Sequence, residues 1–238
     1  MERKLAPKRS NRRNKKQTQF DNLEVYRQLR TNIEYSSFSK DIQVVELTSS
    51  NPAEGKSTVA ANLASVSMAK YDKVLLIDCD LRKPVQHKIF KASNKEGISN
   101  LMKNLNDFDI QNTGYFHKCK DPNLDGELYV LTSGKAVPNP QELLASDTFK
   151  ILIDKCRAVF DFIIIDCPPL NAVADAIPVS RVADGTIFCV SAKDTDKRDA
   201  KNALTMLQRG GGKVLGSVLT NVDIQERGYY YYYNHYGN

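Results

Sequence analysis

The sequence predicts an α/β domain: a doubly wound, mostly parallel sheet with helices on both faces. Three observations predict it. Short strands rich in β-branched residues alternate with helical segments along the 238 residues, the strands are apolar, and a Gly-Lys-Ser loop joins the first strand to a helix. A body of about 200 residues is enough for one such domain and tight for two.

The elements follow in order. Residues 1–19 are polar and basic, the composition of a disordered arm. Leu23, Tyr26, Leu29 and Ile33 then recur at helical spacing, and Asp21 or Asn22 can cap the start, so 22–36 reads as an amphipathic helix. A strand is predicted over 42–47, a loop over 48–57 and an Ala-rich helix over 58–70. Next come a strand at 73–78, helical turns at 84–90 and 98–103, and a strand at 127–131. A helix over 141–160, with a break near Ser146, leads into a strand at 162–166. A helix at 174–181, a strand at 186–190, a helix at 197–209 and a strand at 214–221 complete the series. Domain limits are therefore 1–19 for the arm, 20–221 for the folded body and 222–238 for a tail without core periodicity.

Charge and tyrosine are both concentrated at the ends. The net charge is +6, yet residues 1–18 alone carry eight Lys or Arg against Glu2, so the remainder sums to −1. Six of eleven tyrosines are Tyr229, Tyr230, Tyr231, Tyr232, Tyr233 and Tyr236. No apolar run approaches the roughly 18 residues of a membrane span, and the basic start is not followed by a secretory-type apolar segment. Five cysteines without paired spacing argue against disulfides or a zinc site and for a reducing cytoplasm. A near-neutral body carries no nucleic-acid footprint, so no specific nucleic acid is expected.

The chemistry lies at the strand ends. Ser50-Asn51-Pro52-Ala53-Glu54-Gly55-Lys56-Ser57-Thr58 has the strand-loop-helix setting of a phosphate loop, in which backbone N–H groups and a helix N-terminus surround phosphate oxygens. Ser50 stands where the common pattern has Gly. Gly55 permits close approach, Lys56 would bridge the β- and γ-phosphates, and the Ser57 hydroxyl would bind Mg²⁺. Asp78 and Asp80 close one strand and share a face, while Asp166 closes another. A strand-end carboxylate can also simply begin a turn. Cys79 and Cys167 read as small core residues. Transfer to a hydroxyl needs a proton acceptor besides metal ligands, and two neighbouring carboxylates can divide those tasks.

These residues together resemble the bacterial tyrosine kinases (BY-kinases) of capsule and exopolysaccharide assembly. The resemblance rests on TSSNPAEGKST, VLLIDCDLR, FIIIDCPP and the terminal tyrosine cluster. Glu24, Arg27 and Arg30 are similar to the family's E-x-x-R-x-x-R oligomerisation element, and Pro138-Asn139-Pro140-Gln141-Glu142-Leu143-Leu144 is similar to another family segment. It implies a P-loop NTPase-like fold, ATP and Mg²⁺ as cofactors, and an ATP-dependent tyrosine kinase. Ser50, Gly55, Lys56, Ser57 and Thr58 would hold phosphates, and Ser57, Asp78, Asp80 and Asp166 would organise Mg²⁺. Asp78 is the expected proton acceptor, with Asp80 the alternative. The six terminal tyrosines would be autophosphorylated in trans within a homo-oligomeric ring, such as an octamer. The resemblance further implies a transmembrane activator whose cytoplasmic segment recruits the chain to the membrane, and a protein-tyrosine phosphatase.

Other readings stay open on the residues alone. Glu24 and Arg27 could form only an internal helix pair. A nucleotide-switched positioning ATPase of the partition and division-site type, its basic arm on DNA or anionic membrane, is the second reading. Asn51 weakens it, because those enzymes usually carry Lys there. An inactive regulatory scaffold is the third.

Overall fold

A computed structural model describes residues 11–36, 41–111, 114–119 and 124–223. Its seven strands are β1 (Val44–Ser49), β2 (Lys73–Asp78), β3 (Phe116–Cys119), β4 (Glu127–Leu131), β5 (Phe162–Asp166), β6 (Gly185–Ser191) and β7 (Val214–Thr220). They form one sheet in the order β3-β4-β2-β5-β1-β6-β7. All neighbours are parallel except β3 and β4. The central strands β2, β5 and β1 have helices over both faces, and all of their residues except Lys73 are buried.

The helices divide between those faces. On one, α1 (Asn11–Glu34) and α2 (Lys56–Ser67) cover Val45, Leu47, Leu76 and Ile164. On the other, α4 (Ile98–Leu101), α5 (Pro140–Leu144), α6 (Asp147–Arg157), α7 (Ala176–Val182) and α8 (Lys197–Arg209) cover Val44, Ile77, Ile163 and Ile165. The short α3 (Gln86–Ile89) follows β2. Leu76 and Ile164 are wholly buried, so truncating either to Ala would cost about 2–5 kcal/mol. The predicted doubly wound sheet is the one found.

Several boundaries move for physical reasons. The first helix begins at Asn11, inside the segment expected to be a disordered arm; Arg, Lys and Gln are good helix formers and no Gly or Pro interrupts 11–34. Residues 1–10 and 224–238 lie outside the described residues, and with them the rest of the expected arm and all but the first residues of the tail. β1 runs two residues later than predicted, because Thr48 and Ser49 are buried and pair with Phe188 and Cys189 on β6. The break expected near Ser146 is present and divides the helical segment into α5 and α6, the second ending at Arg157 rather than 160. Ser146 caps the second, its hydroxyl accepting the Phe149 N–H at 3.3 Å. β3 was not predicted. Among the described residues no helix is long and apolar enough to cross a membrane.

Candidate active site

The carboxyl ends of β1, β2 and β5 bring the phosphate loop and the three aspartates together. After Ser49 the chain reverses through Ala53 (φ 65°) and Gly55 (φ 81°), and α2 starts at Lys56. The left-handed Gly55 has a further constraint, since a Cβ there would stand 3.2 Å from Cβ of Thr220. The loop is braced from inside by Glu54, which is almost wholly buried. Its carboxylate accepts the Ser50 hydroxyl and the Asn51 N–H, each at 2.9 Å. It also accepts the Thr195 hydroxyl at 2.5 Å, and its carbonyl accepts the Thr220 hydroxyl at 2.7 Å. Asn51 donates to Asp199 on α8 at 2.9 Å. Ser50 is thus a partner of the loop's own brace.

Lys56 occupies the centre. Its Nζ lies 3.3 Å from Asp80 Oδ2, 3.3 Å from Asp166 Oδ1 and 3.1 Å from Ser57 Oγ. Burial opposes the ammonium charge, but the carboxylates of Asp166 and Asp80 outweigh it and raise the lysine pKa. A cation this close to two carboxylates stays charged at neutral pH.

The three aspartates are not equivalent. Asp78 sits beside Asp166 across the β2–β5 pairing and is wholly buried. Its Oδ2 accepts the N–H groups of Val85 at 3.0 Å and Gln86 at 2.9 Å, and its Oδ1 accepts that of Asp80 at 3.2 Å. Burial, then the negative charge of Asp166, push its pKa up to about 7, against the Gln86 bond and Lys56. Asp80 turns one oxygen to Lys56 and accepts the Lys83 N–H at 2.9 Å on the other. Asp166 accepts the Gln86 side-chain amide at 2.7 Å. Cys79 and Cys167 face the core on the opposite side, where burial raises both thiol pKa values, as small core residues rather than nucleophiles.

A cleft of about 540 Å³ opens over this group. Gly55, Lys56, Ser57, Thr58 and Asp80 line it, facing an apolar wall that includes Ile89 and Pro168. Asp78 and Asp166 lie beneath. Among the described residues no group of three His, Cys, Asp or Glu stands ready as a metal cage. Mg²⁺ does not require one, because it takes one or two carboxylates, keeps waters and shares substrate phosphates. The oxygen donors of Ser57, Asp80 and Asp166 around Lys56 fit that requirement.

Residue patterning alone missed Glu54, Thr195 and Gln86. A carboxylate one residue before the glycine of a phosphate loop would repel phosphate unless turned inward, and that was the available signal for Glu54. Nothing local marks Thr195 or Gln86, whose partners are distant in sequence.

The three residues expected to serve oligomerisation have different settings. Arg27 donates to Glu24 at 3.0 Å on an exposed face, the internal pair foreseen as one option. Arg30 instead donates to the Val66 carbonyl at 2.9 Å and lies 3.4 Å from Glu34, tying α1 to α2. The six terminal tyrosines fall outside the described residues.

A parallel sheet with a Gly-Lys-Ser loop at its centre and carboxylates on the adjacent strand ends defines a phosphate-loop nucleotide-binding domain. Residues 43–199 match the family model described as an AAA domain. The tyrosine-protein kinase YwqD of Bacillus subtilis strain 168 is 39% identical over 212 residues, covering 89% of this chain and 86% of that protein. The tyrosine-protein kinase CpsD of Streptococcus pneumoniae serotype 4 is 37% identical over 87% of each. The crystal structure of the chimerical protein CapA2B2 superposes with a TM-score of 0.74 at 37% identity, covering 84% of each chain. The chain belongs to the bacterial tyrosine kinases and is a protein-tyrosine kinase. The positioning-ATPase reading gives way to it.

Proposed function

We propose that this kinase uses ATP and Mg²⁺ to phosphorylate its own Tyr229, Tyr230, Tyr231, Tyr232, Tyr233 and Tyr236. One subunit offers these residues to the cleft of another, and the modification regulates capsule or exopolysaccharide synthesis and export. The observation that carries the reading is the Lys56 ammonium, 3.3 Å from both Asp80 and Asp166 at the base of an open cleft.

Gly55 and the first N–H groups of α2 give the phosphates their donors, and Lys56 neutralises charge on the β- and γ-phosphates. Ser57, Asp80 and Asp166 would hold Mg²⁺, which when bound offsets the charge of the phosphate oxygens. The tyrosine hydroxyl attacks the terminal phosphorus, the bond from that phosphorus to the β-phosphate oxygen breaks, and ADP leaves. Asp78 takes the phenolic proton, its raised pKa suiting a base at neutral pH. Asp80 is the alternative, because it lines the cleft directly.

Glu24, Arg27 and Arg30 serve subunit association in a ring. The chain acts in the cytoplasm, brought to the inner face of the membrane by the cytoplasmic segment of a transmembrane activator, and a tyrosine phosphatase resets it. The test is incubation with Mg-ATP, with and without that activator segment, followed by mass-spectrometric mapping of phosphate. Lys56→Met abolishes the signal. Phosphotyrosine of undiminished amount in a chain with all six terminal tyrosines replaced by Phe contradicts the tail as acceptor.

A further inference from the structure

The segment that leaves one side of the cleft after β2 is strongly basic. Residues 82–95 contain Arg82, Lys83, Lys88, Lys91 and Lys95 and no acidic residue. Arg82 is bonded to Asp175 at 2.7 and 3.2 Å and is thereby held in place. Lys83, Lys88, Lys91 and Lys95 are exposed, and among the described residues none of their ammonium groups is in an ion pair. The nearest acid in sequence, Glu96, is paired with Lys135. Ile89, between Lys88 and Lys91 in the sequence, has 45% of its surface exposed. Arg82, Lys83, Val85 and Ile89 also line the cleft, so this basic surface continues into it.

The chain carries a ligand of matching chemistry. Before modification residues 224–238 are neutral, with Glu226 against Arg227. Each phosphate on the tyrosine cluster adds about −1.5 to −2 charge. Lysines suit phosphate as point charges, and Ile89 offers an apolar contact for a ring beside them.

We propose that the exposed basic segment carrying Lys88, Lys91 and Lys95, which adjoins the cleft at Ile89, docks the phosphorylated tail of another copy of this chain. A phosphotyrosine already made is held on this segment while a neighbouring tyrosine enters the cleft. Successive residues of an extended chain are about 3.5 Å apart, so a cluster of consecutive tyrosines can engage both places at once. The first phosphorylation then promotes the next. This inference rests on the tail being the acceptor, but its binding step can be tested without catalysis.

The experiment uses the full chain with all six terminal tyrosines changed to Phe, so that no internal tail competes. A fluorescent peptide of residues 224–238 is titrated onto it, unmodified or with a single phosphotyrosine at position 233, and read by anisotropy. The phosphorylated peptide is expected to bind about tenfold more tightly at low salt, a preference that salt weakens. The triple variant Lys88→Gln, Lys91→Gln, Lys95→Gln is expected to lose that preference while binding ATP normally. In the chain with its native tail, the same three substitutions should make singly phosphorylated protein accumulate in intact-mass time courses.

Equal binding of the two peptides, or a preference unchanged in the triple variant, overturns the proposal. So does lysine-dependent binding to vesicles containing phosphatidylserine without any for the phosphopeptide, which would make the segment a membrane contact. Absence of tail phosphorylation with intact phosphopeptide binding would instead remove the functional reading and leave the docking site standing.

Discussion

The Thr195 hydroxyl donates to the buried carboxylate of Glu54 at 2.5 Å, fastening the segment between β6 and α8 to the phosphate loop. Thr195 also accepts the Ser191 N–H at 2.8 Å, so the tie ends on the sheet itself. Glu54 therefore shapes the loop without touching the cleft.

Glu54→Gln replaces a double acceptor facing three donors with a single one. Hydrogen bonds to charged groups contribute about 1.5–3 kcal/mol, so the loop should loosen and ATP affinity fall about tenfold, with kcat little changed. Thr195→Val should reproduce part of the loss and Thr195→Ser should restore it. Calorimetric titration with ATP, beside kcat and KM, checks this; an unchanged affinity in Glu54→Gln contradicts the brace.

As the proposed proton acceptor, Asp78 should give the reaction a pH dependence. A base must be unprotonated, and its pKa is pushed to about 7, so kcat/KM should rise as pH increases through about 7. In Asp78→Asn the rate should be low and that rise absent. Asp80→Asn should also be slow but keep the rise. The reverse pattern in pH profiles of the two variants would transfer the proton to Asp80.

Glu46 is buried on β1, its Oε2 accepting the Thr186 hydroxyl at 2.7 Å. Burial raises its pKa from 4.5 to about 7, with the Thr186 bond acting the other way. The folded state thus holds a proton that the unfolded chain releases more readily. This contribution is complete below about pH 4.5 and is lost as pH rises through about 7. Its size is on the order of 3 kcal/mol. Glu46→Gln should accordingly raise stability at pH 8 more than at pH 5, measured by urea unfolding; equal effects at both values contradict the buried acid.

Arg27 and Arg30 should separate experimentally. Arg27→Ala removes only an exposed pair and should leave the melting temperature within error while reducing the oligomer mass. Arg30→Ala removes a bond to the Val66 carbonyl and should also cost stability, by about 1–2 kcal/mol. Light scattering and thermal melts, taken together, distinguish the two effects.

Sequence legibility followed the physics of burial. β2, β4 and β5 lie at their predicted limits because each is an apolar run preceded by Asp72, Gly126 or Asp161, and β2 and β5 close on the polar Asp78 and Asp166. α8 does so because Asp196 caps it and accepts the Arg198 N–H at 2.7 Å. β3 escaped notice since only Phe116 of its four residues is buried, packed against Phe108 and Phe160. Lys56, Asp80 and Asp166 could be placed together from strand-end logic alone. The contrast between buried Asp78 and cleft-lining Asp80 could not, because it depends on Val85 and Gln86 folding back onto β2. Likewise Arg30 carries no local mark that it points to Val66, more than thirty residues away.

The most direct test of the central claim is the distribution of phosphate after incubation of the full chain with Mg-ATP and the activator segment. Phosphotyrosine concentrated on residues 229–236 and abolished by Lys56→Met is the expected result. Phosphate elsewhere with an unmodified tail, or undiminished phosphotyrosine in Lys56→Met, would contradict it.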